Sequence, residues 1–235
     1  EVIEIIVKKS KGRVPVIAGA GSNNTRESVD LMKFAKKVGA DAALVVTPYY
    51  NKPNQKGLHL HFSSLNDCCD LPIIIYNIPG RSIVDMDLLT LSSLSKLKNI
   101  IGIKDATGDV SRVSDTRKYC GENFIQLSGE DASALGFNAH GGVGCISVIA
   151  NAAPKLSAEF QKAMLQGDYK KALTLQDKLL PLHRATFLEP SPAPIKYALN
   201  KLGKCVNELR APLVKVNENT QKIMDNALRH AELLN

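Results

Sequence analysis

The sequence predicts a parallel α/β fold, and three observations carry that expectation. Six short apolar runs rich in β-branched residues recur at 14–18, 42–47, 72–78, 100–104, 124–128 and 143–149. Most are apolar throughout instead of alternating, which is the pattern of parallel strands covered on both faces. Stretches with helical spacing, such as 25–38 and 85–97, lie between them, and strand–helix alternation of this kind means βα units.

Taken in order, residues 1–9 (EVIEIIVKK) read like the second half of an amphipathic helix. The chain opens at Glu1 instead of Met, so it reads as part of a longer protein. After the first run, Gly19 and Gly21 form a tight turn, with Thr25 as N-cap and Ser28 in the first turn of the next helix. Asn24 stands where a G-x-G-x-x-G dinucleotide fingerprint needs its third glycine. From 154 onward the pattern is helical only, with helices expected at 155–166, 169–187, 193–202 and 219–234, punctuated by Gly167–Asp168, the Pro-rich 189–194 and Gly203. The organisation is therefore a βα portion over 1–153 and a C-terminal helical region over 154–235. Six βα units do not close a standard barrel of eight, and a six-stranded doubly wound sheet fits the periodicity as well.

Composition narrows the function classes. The net charge is +7, but the lysines are scattered and no basic run is interleaved with aromatics, so nucleic-acid binding is not indicated. A basic surface suits small anionic substrates. The five cysteines (Cys68, Cys69, Cys120, Cys145, Cys205) form no C-x-x-C, and reduced thiols in a cytoplasmic protein fit them best. No apolar stretch reaches the roughly 18 residues that span a bilayer, so no membrane partner is expected. The histidines lack metal spacing; His59 and His61 are two apart in an expected helix and face different ways.

In parallel α/β folds the reacting groups gather where strands end and βα loops begin. Lys104 closes the run Ile100-Ile101-Gly102-Ile103. Burial disfavours its charged form and leaves a nucleophilic amine able to form a Schiff base with a ketone; snorkelling to solvent, or pairing with Asp105, are the plainer readings. Tyr76 ends the run Ile73-Ile74-Ile75, where a phenol can relay protons or simply fill the core. Arg81, in the following loop, suits a carboxylate or a surface ion pair. Glu130-Asp131 reads as a helix N-terminus more readily than as an acid–base pair or a magnesium site, and Gly141-Gly142-Val143-Gly144 as a turn into the next strand.

These strand-end segments carry a resemblance. TPYYNKP (47–53), YNIPGRS (76–82), GIKDATGD (102–109), LSGEDASAL (127–135), GVGCISVIAN (142–151) and the late EPSPAPIKYAL (189–199) resemble the dihydrodipicolinate synthases in order and spacing over essentially the whole chain. The resemblance implies a TIM-type (β/α)8 barrel with a C-terminal helical domain, as a homotetramer. It implies condensation of pyruvate with aspartate 4-semialdehyde in lysine biosynthesis, with no metal and no cofactor beyond the covalent pyruvate Schiff base. Matched by motif, Lys104 is the Schiff-base lysine, Tyr76 the proton-relay tyrosine, and Tyr50 the tyrosine that a neighbouring subunit inserts into the relay. Arg81 binds the semialdehyde carboxylate, and Gly129 and Ile146 line the pyruvate site. Asn23, Glu27 and Tyr49 match a lysine effector site. Ser82 stands where the family commonly has Thr. Family members begin with two further strands, the second ending in a Gly-Thr-Thr-Gly-Glu loop that nothing here matches. An open barrel and slower condensation than in a complete homologue are the expectations that follow. A sibling pyruvate aldolase (an N-acetylneuraminate lyase or a keto-deoxy sugar acid aldolase) and an inactive truncated fragment are the alternatives.

Overall fold

A computed structural model describes residues 1–235. The chain divides into two compact units, Glu1–Gly129 with His140–Val143, and Glu130–Ala139 with Gly144–Asn235. The first unit runs α1 (Val2–Ser10), β1 (Ile17–Gly19), α2 (Thr25–Lys37), β2 (Ala42–Val46), α3 (Gln55–Cys68), β3 (Ile73–Asn77), α4 (Pro79–Ser82), α5 (Leu88–Leu94), β4 (Ile100–Asp105), α6 (Arg112–Cys120) and β5 (Ile125–Ser128). The five strands form one parallel sheet in sequence order, as repeated βα units dictate.

Local chemistry fixes the ends of these elements. β1 starts at Ile17 and not at Val14, because Pro15 has no N–H and the N–H of Val16 is taken by Asp41 Oδ2 at 2.7 Å. The N-cap of α2 is Asn24 and not Thr25: Asn24 Oδ1 accepts from the N–H of Arg26 at 2.9 Å. Thr25 instead bonds through Oγ1 to His61 Nδ1 at 2.9 Å, and Ser28 Oγ accepts from the N–H of Ser22. Asn54 caps α3 and Asp87 caps α5 in the same way.

Successive strand residues point to opposite faces, and the register sorts them. Ala18, Ala43 and Ile73 stand in one row, and Val45, Ile75 and Ile103 in the next. All six are buried, in one cluster with Met32 and Ala35 of α2, Leu58, Phe62 and Leu65 of α3, and Leu91 and Leu94 of α5. The helices thus cover this face. The opposite face carries Leu44, Val46, Ile74, Tyr76 and Lys104. The β3–β4 pairing contains a register shift, with Ile73 opposite Ile100 but Ile74 opposite Gly102. Gly102 is forced by its neighbour strand: a Cβ there would lie 2.5 Å from the carbonyl oxygen of Ile125 in β5.

The second unit is helical, with α7 (Ala134–Ala139), α8 (Pro154–Leu165), α9 (Tyr169–Ala185), α10 (Ala193–Lys201) and α11 (Glu218–His230). The four long helical patterns of the sequence are these last four. Leu179 and Leu182, Ile195 and Ala198, and Met224, Ala227 and Leu228 supply one apolar core, and Tyr197 Oη ties α10 to α11 by donating to Asp225 Oδ1 at 3.0 Å. The sixth apolar run, 143–149, is not the strand that the sequence led us to expect. It holds a single bridge residue, Cys145, and ends in a 3-10 turn over Ile149–Asn151. Only its end is diverted to side chains: Asp131 Oδ2 accepts from the N–H of Val148 and Ile149, and Ser147 Oγ from that of Ala150, while at its start the N–H of Val143 donates to the carbonyl of Gln126 in β5 at 2.9 Å. No helix is long and apolar enough to cross a membrane.

Two predictions follow from the packing. Gly102→Ala forces a methyl against backbone and should cost about 1–3 kcal/mol, read as a lower urea midpoint; an unchanged midpoint would mean β4 and β5 can separate freely. His61 is 3% exposed, and burial pushes its pKa down to about 4. Below about pH 6.5 the unfolded chain takes up a proton that the folded one refuses. Stability should therefore fall as the pH drops from about 6.5 to 4, by roughly 2 kcal/mol at pH 5. In His61→Asn this part of the acid limb should be missing from urea titrations at pH 7 and pH 5; an identical limb in the variant would assign it elsewhere.

Candidate active site

β3 and β4 end together, and their last residues alternate between two environments. Tyr76 stands opposite Lys104, and Asn77 opposite Asp105. The Lys104 Nζ lies 3.9 Å from the centroid of the Tyr76 ring, and Lys104 is 8% exposed. A half-buried phenol and a buried amine thus sit side by side at the C-terminal ends of adjacent parallel strands, where parallel α/β folds place their chemistry.

Asp105 does not pair with Lys104. As the next residue in the strand it points to the helix-covered face, where Oδ1 accepts from Thr107 N and Oγ1 (2.8 and 2.6 Å) and Oδ2 from Arg112 Nε at 3.1 Å. Arg112 continues through Nη1 to Asp85 Oδ2 (3.1 Å) and through Nη2 to the carbonyl of Met86 (3.0 Å). Asn77 closes the circuit, donating from Nδ2 to Asp85 Oδ1 at 2.7 Å and accepting at Oδ1 from the N–H of Met86. This network holds both strand ends. Sequence reasoning missed it, although the period-2 rule alone places Asn77 and Asp105 on the face opposite Tyr76 and Lys104.

Arg81 is exposed on the one-turn helix α4, started by Pro79 at its first position. It shares a cleft of about 480 Å³ with Tyr76, Tyr49, Gly19, Leu44 and Ser82. Arg81 and Tyr76 are therefore brought together, with Lys104 beside Tyr76. Gly129 also belongs to this end of the sheet: its N–H donates to the Asp105 carbonyl at 2.7 Å, and a Cβ on it would lie 2.6 Å from Ala106 Cβ. Ile146 lies in the other unit, half-buried in the irregular stretch that follows Gly144.

Tyr50 is not drawn to the pair within this chain. It is 88% exposed, with a left-handed φ of 71° on a tight turn closed by Asn51 N–H to the Tyr49 carbonyl. Such a backbone is costly for a bulky residue. The turn is moored by Asn51 Nδ2, which donates to the Asn23 carbonyl at 2.8 Å. Glu27 is exposed at the start of α2, and its Oε2 accepts from Ser22 Oγ at 2.7 Å. Asn23 and Tyr49 thus lie in the loops after β1 and β2, joined by the Asn51 bond, with Glu27 in the first turn of α2.

In the second unit Glu130 caps the 3-10 turn Asp131–Ser133 through the N–H of Ala132, as the helix-start reading had it. Asp131 is buried and lies 4.0 Å from His183 Nδ1. Burial lowers the pKa of His183, and the Asp131 charge opposes that shift. This pair lines a cavity of about 240 Å³ with Cys145 and Ser147, and no motif in the sequence joins residues 131 and 183.

Comparison with known proteins places these features in a family. The model of the dihydrodipicolinate synthetase family matches residues 1–231. A 4-hydroxy-tetrahydrodipicolinate synthase of Ruegeria pomeroyi is 61% identical over 233 residues, covering 99% of this chain and 80% of that protein. The solved structure of the chloride-inhibited dihydrodipicolinate synthase of Acinetobacter baumannii complexed with pyruvate superposes with a TM-score of 0.96 at 42% identity, over 99% of this chain and 80% of that one. That of the Cyanidioschyzon merolae enzyme with lysine bound gives 0.93 at 32% identity, over 99% and 79%. The chain belongs to the dihydrodipicolinate synthetase family of lyases.

Proposed function

We propose that the chain condenses pyruvate with aspartate 4-semialdehyde through a Schiff base on Lys104, a class I aldolase-type step of diaminopimelate and lysine biosynthesis. The observation that carries this reading is the buried Lys104 amine beside the Tyr76 ring at two adjacent strand ends. The names of relatives about 60% identical favour it over a sibling sugar-acid aldolase.

The neutral Lys104 amine adds to the pyruvate ketone, and loss of water gives an imine that acts as an electron sink. A proton leaves the pyruvate methyl group, and the enamine carbon bonds to the semialdehyde carbon, whose oxygen takes up a proton. Attack of the semialdehyde's own amine on the imine carbon closes the ring and returns Lys104. Tyr76 moves the protons. No separate cofactor or metal is needed, because the lysine imine is itself the sink. Arg81, on the rim of the cleft that holds Tyr76, offers its fork to the semialdehyde carboxylate. Gly129, packed too tightly for a side chain, shapes the pyruvate end.

Tyr50 belongs to the relay of a second copy. A fully presented phenol on a strained turn suits insertion into a neighbour, within a homotetramer. Asn23, Glu27 and Tyr49 would take lysine as effector, with Glu27 on an ammonium group; the lysine bound to the Cyanidioschyzon merolae relative supports this. Five cysteines with no disulfide among them suit the cytoplasm.

Borohydride reduction in the presence of pyruvate should leave a reduced pyruvyl adduct on Lys104, located by peptide mass mapping, and none in Lys104→Ala. An adduct on another lysine, or none at all, would end the Schiff-base reading. Arg81→Met should raise the KM for the semialdehyde by about 10–100-fold, the value of a charge-assisted hydrogen bond, while pyruvate trapping stays at its original level. If the KM does not move, the semialdehyde carboxylate is bound elsewhere.

A further inference from the structure

The last residue of α3 and its C-cap are both cysteines. Cys68 and Cys69 are half-buried and reduced, and their sulfurs lie 3.7 Å apart, with the Cys68 thiol directed at the Cys69 sulfur. The proposed mechanism uses neither: they precede β3, whereas Lys104 and Tyr76 stand at the far ends of the strands.

Their backbone is clamped. The Cys69 carbonyl accepts from the N–H of Leu71 at 3.0 Å and from Asn99 Nδ2 at 3.2 Å. Asn99 is anchored in turn on Asn66, through its N–H to Asn66 Oδ1 and through Nδ2 to the Asn66 carbonyl. Both cysteines also pack against the main apolar cluster. The backbone that carries the two sulfurs is therefore fixed, and the sulfurs stand 3.7 Å apart on it.

That spacing selects a chemistry. A disulfide needs sulfurs about 2.05 Å apart and Cα atoms at about 4.4–6.8 Å. Neighbouring Cα atoms across a trans peptide are only about 3.8 Å apart, so a direct bond here is strained. A single thiophilic atom bridging two sulfurs, each about 2.3 Å away, sets them roughly 3.4 to 3.8 Å apart as the angle between its bonds goes from pyramidal to tetrahedral. The pair already has that geometry. Burial, followed by the hydrogen bond to Cys69, pushes the Cys68 thiol up to about 12.

We propose that Cys68 and Cys69 form a vicinal dithiol site that captures a thiophilic centre taking two sulfurs, of which a trivalent organoarsenical is the type. With phenylarsine oxide two As–S bonds form, the two S–H bonds break, and both protons leave with the oxide oxygen as water. Arsenic stays trivalent, and no oxidant or reductant takes part.

The test is intact-protein mass spectrometry of the reduced chain with one equivalent of phenylarsine oxide, under a large excess of glutathione. One adduct should persist, map to the peptide holding Cys68 and Cys69, and be removed by 2,3-dimercaptopropanol. Cys68→Ser and Cys69→Ser should each bind at least about a hundredfold more weakly, the loss expected when a second attachment becomes unavailable; Cys120→Ser should bind as the parent does. Peptide mapping of the unsubstituted protein decides the matter even if a variant misfolds. An adduct mapped to Cys120, Cys145 or Cys205, or one that glutathione removes, overturns the proposal.

Discussion

Ile73 pairs with Ile100, yet the next residue of β3 pairs with Gly102, and the site hangs on that one-residue shift. Without it Tyr76 would stand opposite Ile103, and Lys104 would have another neighbour. Because side chains alternate with a period of two, a slip of one residue exchanges the two faces of a strand. On the other side of β4, Gly102 lets the carbonyl of Ile125 in β5 press close. The lysine amine and the tyrosine ring then share one face, while Ile75 and Ile103 share the other and pack under the helices.

Holding that register at the strand ends falls to a charged network. Asp105 is 6% exposed, and a buried carboxylate is costly unless paired and fully hydrogen-bonded. Arg112 and Thr107 supply the pairing, and Arg112 reaches on to Asp85, itself bonded to Asn77 at the end of β3. The two strand ends are thus tied through a neighbouring helix and the loop before α5. Removing one partner of such a buried pair leaves an uncompensated charge, a loss of about 3–5 kcal/mol. The arrangement also turns the Asp105 carboxylate to the face opposite Lys104.

The loops at the same end are set by short polar bonds instead of apolar packing. Asn51 ties the turn bearing Tyr49 and Tyr50 to the loop after β1, and Ser22 holds Glu27. Such loops can present side chains outward on strained backbone, as Tyr50 does, because a rigid sheet beneath them carries the fold.

Much of this was legible in the residues themselves. Runs of Ile and Val bounded by Gly, Pro and Asn fix five of the strands to within a few residues, and helical spacing fixes the four long C-terminal helices, because both signals are local. The strand-end motifs carry the family and point to Lys104, Tyr76 and Arg81. What the sequence could not decide depends on partners far along the chain. The run at 143–149 looks like a strand, but Asp131 takes the donors of its last two residues. Thr25 looks like a cap, but Asn24 caps and Thr25 turns to His61, 36 residues away. Asp105 looks like the partner of Lys104 until Arg112 is placed beside it. Propensity and periodicity act over a few residues, whereas a buried polar group takes whichever partner the packed chain brings within about 3 Å, and only the tertiary structure chooses that partner.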